Sequence, residues 1–584
     1  NQPLPGASVV IKGTVTGTTT DIHGNYSIKA SPKQVLVYSF VGMTPQEVTV
    51  AAENKTVDIV LSELAVMTSE VVVVGYGTQK KSVVTGAISG VKAKDMEKIP
   101  NGRVEQALQG RVSGVTIAAN SGQPGEGSTI RVRGITTFGG GNDPLWVVDG
   151  VVVPSGGIGD INQADIASME VLKDAASAAI YGTRAATGVI LITTKKGQAG
   201  KMVVNYNTFY GTSAPAKVLE LCNATQYAAL INERQTNGGK DIKFPNIGQY
   251  GTGTDWQKQI FNNDAHRYSH ELSLSGGNDR STFYSSLGIT NQEGIVLTDI
   301  SNYNKITFRL NSEHKISKIF TVGQTFGYTH TKSVGIGNTN SEYGGPLSSA
   351  INLDPITPVV ETDPVLASKS PYDNPYVVRD ENGDPYGISP NVGQEMTNPL
   401  AYAQTKQGQY NWSDAFQGNA YLDVNFDSHF KFRTAIGAKL AYWGWEGFTP
   451  LYLLNASTSN LVYNNFSRTS QQGLDWNLEN TLTYSNKIQD HEFSILLGQG
   501  AYVNGIGGGS SNTIQGLPIS SYEDASFNFD IPQAQRSSGI WDFTEHKISS
   551  LFTRVNYNYK EKYIFTGIIR RDGSSRFGSN YKYG

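Results

Sequence analysis

Phe430-Lys-Phe-Arg-Thr-Ala-Ile-Gly-Ala-Lys-Leu-Ala-Tyr442 decides how this chain is read. Phe430, Phe432, Ile436, Leu440 and Tyr442 fall on alternate positions, opposite Lys431, Arg433 and Lys439. Successive side chains of a strand point to opposite faces, so the segment carries one apolar and one charged face. A strand of this length crosses a bilayer when tilted.

The pattern repeats outward from this segment. Met202, Val204, Tyr206, Thr208 and Tyr210 oppose Asn205 and Asn207, and Tyr268, His270, Leu272 and Leu274 oppose Arg267, Ser269, Glu271 and Ser273. Residues 416–426 alternate against Gln417, Asn419, Asp423 and Asn425, and residues 474–484 against Asp475, Asn477, Glu479 and Thr481. About eleven such segments begin near residues 201, 266, 280, 303, 318, 414, 430, 472, 491, 546 and 562. Connections after the second, fourth, sixth, eighth and tenth are tight. Those after the first, fifth, seventh and ninth run to tens of residues, and the one after the third is intermediate. Short turns on one side and long loops on the other mark an antiparallel transmembrane β-barrel and are not required of a soluble sandwich. An up-and-down sheet with both ends on one side closes with an even strand number, so eleven strands predict a piece of a larger barrel.

Composition agrees. The 584 residues carry 47 Lys and Arg against 50 Asp and Glu, a net charge of −3, which excludes a strongly basic nucleic-acid binder. Charged residues are only 17%, and the 64 glycines and 30 tyrosines make the chain turn-rich and β-prone. The single cysteine, Cys222, excludes an internal disulfide and a cysteine-based structural zinc site. No run of 18 apolar residues is present, which excludes a transmembrane helix and leaves a membrane barrel open. Neither a starting Met nor a secretory leader is visible, so a processed chain or a fragment is expected.

Upstream of the alternating segments the character changes. Residues 1–62 read as a small β-sandwich of short β-branched runs near 7–11, 14–20, 26–29, 34–40, 46–50 and 56–61, with a turn at Asp21-Ile-His-Gly-Asn25. Residues 63–82 form a linker containing Glu70-Val-Val-Val-Val-Gly75. On pattern alone the valine run is a buried strand, or else an extended segment awaiting a partner's sheet edge. Residues 83–197 read as α+β, with short helices at 102–108 and 174–181 and strands at 129–133, 145–148 and 188–194.

Motifs for chemistry are weak. His266 and His270 have helical metal-ligand spacing, but on a strand they stand about 13 Å apart and cannot share an ion. Asp380, Asn382 and Asp384 suggest a calcium loop, yet Pro385 replaces its glycine and no Glu closes it. Gly75-Tyr-Gly77 and Gly139-Gly-Gly141 lack a phosphate-loop register. No catalytic residue, metal site or cofactor site is discerned, and no enzyme activity is expected. Trp412, Trp443, Trp445, Trp476 and Trp541 suit interfacial girdles at strand ends, or stacking on sugar faces if they point inward or lie on loops.

Longer stretches then carry a resemblance. EVVVVGYGTQKKSVVTGAI (70–88), EQALQGRVSGVTI (105–117), SGQPGEGSTIRVRG (121–134), PLWVVDGV (144–151) and MEVLKDAASAAIYGTRAATGVILITTKKG (169–197) resemble the plug of SusC-like (SusC/RagA) TonB-dependent outer-membrane transporters. RRDGSSRFG (570–578) is similar to that family's barrel motif. GASVVIKGT (6–14) with DIHGNYSI (21–28) resembles the carboxypeptidase-regulatory-like extension that precedes such plugs.

The resemblance implies a mainly β protein: residues 1–62 a sandwich extension in the periplasm, 63–82 a linker, 83–197 the plug, and 198–584 part of a barrel of 22 strands. It reverses the pattern-based reading of the valine run. Glu70, Val71, Val72, Val73, Val74 and Gly75 become the TonB box, captured by strand addition to TonB and its ExbB–ExbD energising complex. It implies energy-dependent import of a bulky nutrient across the outer membrane, an oligosaccharide first and a peptide second, beneath a SusD-like surface lipoprotein. The barrel would sit in outer-membrane lipid. Plug loops facing outward would touch ligand, and Phe138, Asn142 and Asp143 in the Gly-flanked segment 136–143 are the candidates. The alternatives are a non-transporting receptor, signalling protein or adhesin on the same fold, and a soluble secreted β-protein.

Overall fold

The computed structural model describes residues 3–14, 16–40, 43, 45–51, 56–61, 71–73, 78–80, 88–96, 103–138, 141–153, 155–174, 178–337, 344–578 and 580–583. They fall into two compact units, Asn1–Val72 with Gln79–Ser82, and Val73–Thr78 with Val83–Gly584.

The first unit is built on a four-stranded antiparallel sheet, ordered β2-β1-β3-β4, of β1 (Ser8–Ile11), β2 (Gly17–Thr19), β3 (Val35–Ser39) and β4 (Gln46–Thr49). Val9, Ile11, Leu36 and Tyr38 are its buried face. Tyr26, Ile28 and Ala30, then Val57, Ile59 and Leu61, pack against that face at every second position. These two segments were expected as strands. They alternate as strands do but join no ladder, so the second layer is extended chain pinned by contacts such as Tyr26 Oη to the Val57 carbonyl at 3.0 Å. Of the expected TonB box, Val71–Val73 (β5) pairs with Thr78–Lys80 (β6) in a two-stranded sheet. Glu70, Val74 and Gly75 lie outside the described residues.

Within the second unit, a five-stranded mixed sheet is ordered β11-β10-β13-β12-β7. Its strands are β7 (Ile88–Lys92), β10 (Leu145–Val148), β11 (Val151–Val153), β12 (Ile166–Leu172) and β13 (Val189–Thr194). A separate hairpin joins β8 (Val115–Ala119) to β9 (Ser128–Val132). Strands buried on both faces need apolar residues at consecutive positions, as Val189, Ile190, Leu191 and Ile192 supply. One face closes a core containing Trp146, Ile166, Met169, Val171 and Ile190. The expected helix at 102–108 is a 3-10 turn, Val104–Leu108. Of the one expected at 174–181, residues 175–177 lie outside the described residues, the Ala178 amide bonds the Asp174 carbonyl in an α-type turn, and a 3-10 turn follows at Ala179–Ala185.

The remainder is a single antiparallel wall in which sequence neighbours pair. Its long strands are β14 (Gly200–Ser213), β15 (Ala265–Gly277), β16 (Ser281–Glu293), β17 (Asn302–Lys315), β18 (Phe320–Val334), β19 (Tyr410–Asn425) and β20 (Phe430–Thr449). After a small loop hairpin of β21 (Tyr452–Leu453) and β22 (Ser459–Asn460) come β23 (Asn465–Ile488), β24 (His491–Gln515), β25 (Arg536–Asp542), β26 (His546–Tyr559) and β27 (Tyr563–Ser574). β25 and β26 both pair with β24, at Gly508–Ile514 and His491–Asn504, and so form one strand broken at residues 543–545. Counted this way the wall has the eleven strands expected.

Turns 278–280, 316–319, 426–429, 489–490 and 560–562 are short, and connections 214–264, 335–409, 450–464 and 516–535 are long. Side-chain carboxylates and amides close the short ones: Asp427 Oδ1 accepts the His429 and Phe430 amides at 2.7 and 2.8 Å. The seventh connection is shorter than expected because β20 and β23 run on to 20 and 24 residues.

Register assigns the faces. Phe308, Phe326, Phe416, Ile436, Leu440, Leu482, Leu497 and Ile569 share the outer face, many of them exposed. The inner face is polar, and the mixed sheet sits against it.

Candidate functional site

The seam between plug and wall concentrates buried charge. Val148-Asp149-Gly150-Val151 is a two-residue hairpin between β10 and β11, with φ of 49° at Asp149 and 88° at Gly150. Asp-Gly suits a turn that demands positive φ at both central positions. The turn projects Asp149 toward the wall, and its carboxylate accepts the amide at 2.9 Å and the hydroxyl at 2.7 Å of Thr194, at the end of the plug strand β13. Asp165, at the foot of β12, accepts Tyr284 Oη at 2.9 Å and Ser286 Oγ at 2.5 Å from β16. Arg309 of β17 lies between the two, its Nε 3.4 Å from Asp165 and its Nη1 3.7 Å from Asp149. Arg309, Asp149 and Asp165 are all buried at the side chain. Asp160 pairs with Lys439 of β20 at 2.6 Å, and Asn311 of β17 donates to Thr194 and to the Lys195 carbonyl at 2.9 and 2.7 Å. Plug carboxylates thus meet wall cations.

The opposite seat, on β24–β27, differs. Val147, Leu172, Ile180, Tyr181, Val189 and Leu191 of the plug pack with Leu496 and Phe552 of the wall. Arg570 of β27 anchors this seat. Its Nε meets Asp572 at 2.8 Å, its Nη2 donates to Ser550 Oγ at 2.7 Å, and its Nη1 donates to the Ile180 carbonyl. Gly182, at φ 71°, passes so close that a Cβ there would collide with the Asp572 carboxylate and lie 2.6 Å from Arg570 Nε. The two sequence stretches around Gly182 and Arg570 therefore meet in space. Arg184 lies 4.0 Å over the Tyr502 ring, whose hydroxyl donates to Glu479 at 2.7 Å. Burial pushes the Glu170 carboxyl of β12 up, and one of its oxygens has no hydrogen-bond partner among the described residues.

High on the inner face, four aromatic rings lie over glycines. Trp443 and Phe543 stack at 5.8 Å beside Gly473, Trp541 covers Gly509, and Trp445 covers Gly447. Gln471 sits among them.

Phe138 is fully exposed. Asn142 folds its own loop, accepting the Thr136 and Thr137 amides at 2.9 and 3.1 Å, and Asp143 pairs with Arg131. The three are neighbours on one loop. The tip of the β8–β9 hairpin also reaches the long-loop end of the wall. Gly125 abuts the Tyr303 ring at the start of β17, and Gln123 packs at Gly335 just beyond β18. Arg103 Nη1 holds the Gly125 carbonyl at 2.8 Å. His266 and His270 each bond a β14 tyrosine, Tyr210 and Tyr206, at 2.9 and 2.8 Å. Spacing along the chain did not reveal the Asp149–Arg309–Asp165 cluster. The available signals were charges on the polar face of β17 and β20 and the Asp-Gly pair after β10.

Residues 80–189 match the TonB-dependent Receptor Plug Domain family, and residues 1–73 match the CarboxypepD_reg-like domain family. TonB-dependent receptor P26 of Formosa agariphila is 34% identical over 592 residues, covering 100% of this chain and 56% of its own length. TonB-dependent receptor SusC of Bacteroides thetaiotaomicron is 32% identical over 623 residues, again covering 100% of this chain and 56% of its own. The structure of the RagAB peptide transporter matches with a TM-score of 0.71 at 21% identity, over 86% of this chain and 56% of that chain, which shows a shared fold. The chain spans about half the length of the curated relatives it matches. Those relatives are receptors rather than enzymes, and with a plug sheet seated on an eleven-strand wall, the chain belongs to the SusC-like TonB-dependent receptors.

Proposed function

We propose that this chain serves the import of a bulky nutrient across the outer membrane, with an oligosaccharide as the first reading of the cargo. The observation that carries the proposal is the two-sided wall: apolar outside, and inside a polar face on which a folded plug rests through a few ion pairs. A wide barrel must be stoppered against leakage, and a stopper held by charges can be moved into water without stranding them in an apolar medium. The outer membrane has no ATP, so the work must arrive mechanically, through TonB adding a strand to Glu70–Gly75. A SusD-like surface lipoprotein would close the long-loop side.

The oligosaccharide reading is supported by the inner ring cluster of Trp443, Trp445, Trp541 and Phe543 with Gln471, which offers flat faces and amides rather than charge. Phe138, Asn142 and Asp143 remain candidates for contacts from the plug side. The test is deletion of residues 70–76 in the full-length receptor. Accumulation of labelled oligosaccharide should vanish while surface binding persists. Uptake that survives the deletion overturns the coupling, and binding without TonB-dependent accumulation in the unaltered receptor would favour a non-transporting receptor.

A further inference from the structure

A groove of 680 Å³ opens on the wall across β19, β20, β23, β24 and β25. Register places it on the outer face. Tyr442 pairs with Gln472 and Gln472 with Gly508, while Ser470 pairs with Ser510 and Ser510 with Ile540, all on the side of Ile436 and Leu440. Of the inward cluster, Trp443 and Trp445 do not line it, whereas Gln471, Gly509, Trp541 and Phe543 border it along the glycine-thinned edge of β24 and β25. Missing side chains make its floor. The Trp412 ring lies over Gly444, Gly508 has none, and Ser470 and Ser510 are small. The wall is also irregular here. β23 shifts register between Leu474 and Trp476, Gly505 donates to Asp475 at 2.8 Å, and residues 543–545 break the next strand.

Its height is given by the outer face itself. On β20 the apolar positions Ile436, Ala438, Leu440 and Tyr442 give way to Gly444 and Glu446, and on β23 Leu478, Trp476 and Leu474 give way to Gln472 and Ser470. The groove straddles that boundary, where aromatic rings meet lipid headgroups. Neighbouring polar groups at this level are satisfied within the wall: Tyr328 donates to Asp414 at 2.7 Å, and Tyr410 to Glu446 at 3.0 Å. The Ser470, Gln472 and Ser510 side chains have no such partner among the described residues. No Lys, Arg or His lines the groove, and Asp542 makes no ion pair among the described residues, while Glu545 pairs with Lys547 at 2.7 Å.

We propose that this groove binds a neutral sugar ring carried as the headgroup of an outer-leaflet glycolipid. A phosphate headgroup would meet the Asp542 carboxylate with no lining cation to offset the repulsion. A pyranose presents a flat C–H face to Trp412 and Tyr442 and hydroxyls to Gln472, Ser470 and Asp542, while its lipid tail continues down the apolar band. The inference rests on the membrane-spanning reading of the wall.

The test uses the full-length receptor in phosphatidylethanolamine nanodiscs doped with either glucosyl diacylglycerol or phosphatidylglycerol, with retained lipid counted by native mass spectrometry. Glucosyl lipid should be retained preferentially. Tyr442→Ala/Gln472→Ala and the groove-filling Ser510→Trp should each lower that retention roughly tenfold, the loss of one stacked ring with its hydrogen bonds, and leave phosphatidylglycerol unchanged. Equal retention of both lipids, or variants that match the wild type, overturns the assignment. Competition by free methyl glucoside at equal concentration would assign the groove to free sugar instead, and a dimer that buries it would assign it to a second copy; either overturns the glycolipid. Failure to insert into either disc overturns the membrane reading itself.

Discussion

Asp165→Asn tests the polar seam with the smallest change of shape. Asp165 is 2% exposed and takes two hydroxyl donors and one guanidinium. Hydrogen bonds to a charged acceptor contribute about 1.5–3 kcal/mol against 0.5–1.5 for neutral ones, so neutralising the acceptor of Tyr284 and Ser286 costs about 1 kcal/mol for each. Arg309 loses one of its two carboxylates but keeps Asp149 at 3.7 Å, which limits that loss to about 1 kcal/mol, below the 3–5 of an abandoned buried charge. The sum is about 3 kcal/mol of plug stability. A plug of this size unfolds in urea with a slope of about 1–1.5 kcal/mol/M, so its midpoint should fall by about 2 M. Trp146, 1% exposed in the plug core, reports the transition by fluorescence in the full-length receptor, while heat-modifiable gel mobility confirms that the wall stays folded. Asp165→Asn/Arg309→Met should cost less than the sum of its two singles, because both remove the same Arg309–Asp165 pair, but it should not recover the wild type, since the buried Asp149 carboxylate also loses its cation. A midpoint shift under about 0.5 M, or a double variant as weak as the sum of its singles, refutes the view that these charges hold the plug.

Two further outcomes follow from the opposite seat and from β12. Gly182→Ala forces a Cβ into the Arg570–Asp572 pair at a φ of 71°, so plug stability in the same assay should fall by about 2 kcal/mol or more, whereas Ala179→Gly, in the same turn, should cost less than half as much. Glu170 has its folded pKa raised by burial above the ordinary 4.5, so the folded plug binds its proton more tightly than the unfolded chain. Its contribution is fully present below that value and is lost as pH rises through the folded pKa. Glu170→Gln should therefore stabilise the plug at neutral pH and flatten the pH dependence of its urea midpoint above 4.5, and an unchanged slope contradicts this.

Face alternation was legible because strand geometry imposes period two on every segment. Lys439, Asn419 and Asn477, placed on the polar face by spacing alone, do point at the plug. Partner identity was not legible. Asp160 and Lys439 are 279 positions apart, and no local pattern encodes a contact made by seating one domain inside another. Strand ends were missed for a different reason. Above Tyr442 and Gln472 the outer face passes to Gly444, Glu446 and Ser470 while the rings Trp443 and Trp445 fall on the inner face, so the apolar-outside alternation stops while the ladder continues to Thr449 and Gln515. In the plug, five residues at Val104–Leu108 carry helical composition but too few turns for an α-helix, and a 3-10 turn results. The role of residues 121–127 at the long-loop end was not legible, because the approach of Gly125 to the Tyr303 ring joins residues far apart in the chain.

The two seats differ in what their separation costs, and that difference gives the opening a direction. Pulling Asp165 and Asp160 from Arg309 and Lys439 lets water rehydrate all four charges, and a solvated pair is worth only about 0–1 kcal/mol. Pulling the plug from Leu496 and Phe552 exposes apolar surface worth about 1.5–3 kcal/mol for each side chain. Force reaching the plug should therefore part it from β16–β20 before it parts from β24–β27. Asn162 Nδ2 donates to Thr307 Oγ1 at 3.4 Å across the weaker seam, so Asn162→Cys/Thr307→Cys in a Cys222→Ser background places a staple there. The oxidised receptor should bind cargo at the surface and fail to accumulate it, and a reductant should restore uptake. Undiminished uptake through the stapled receptor would show that the path opens elsewhere, and the argument from hydration would fall with it.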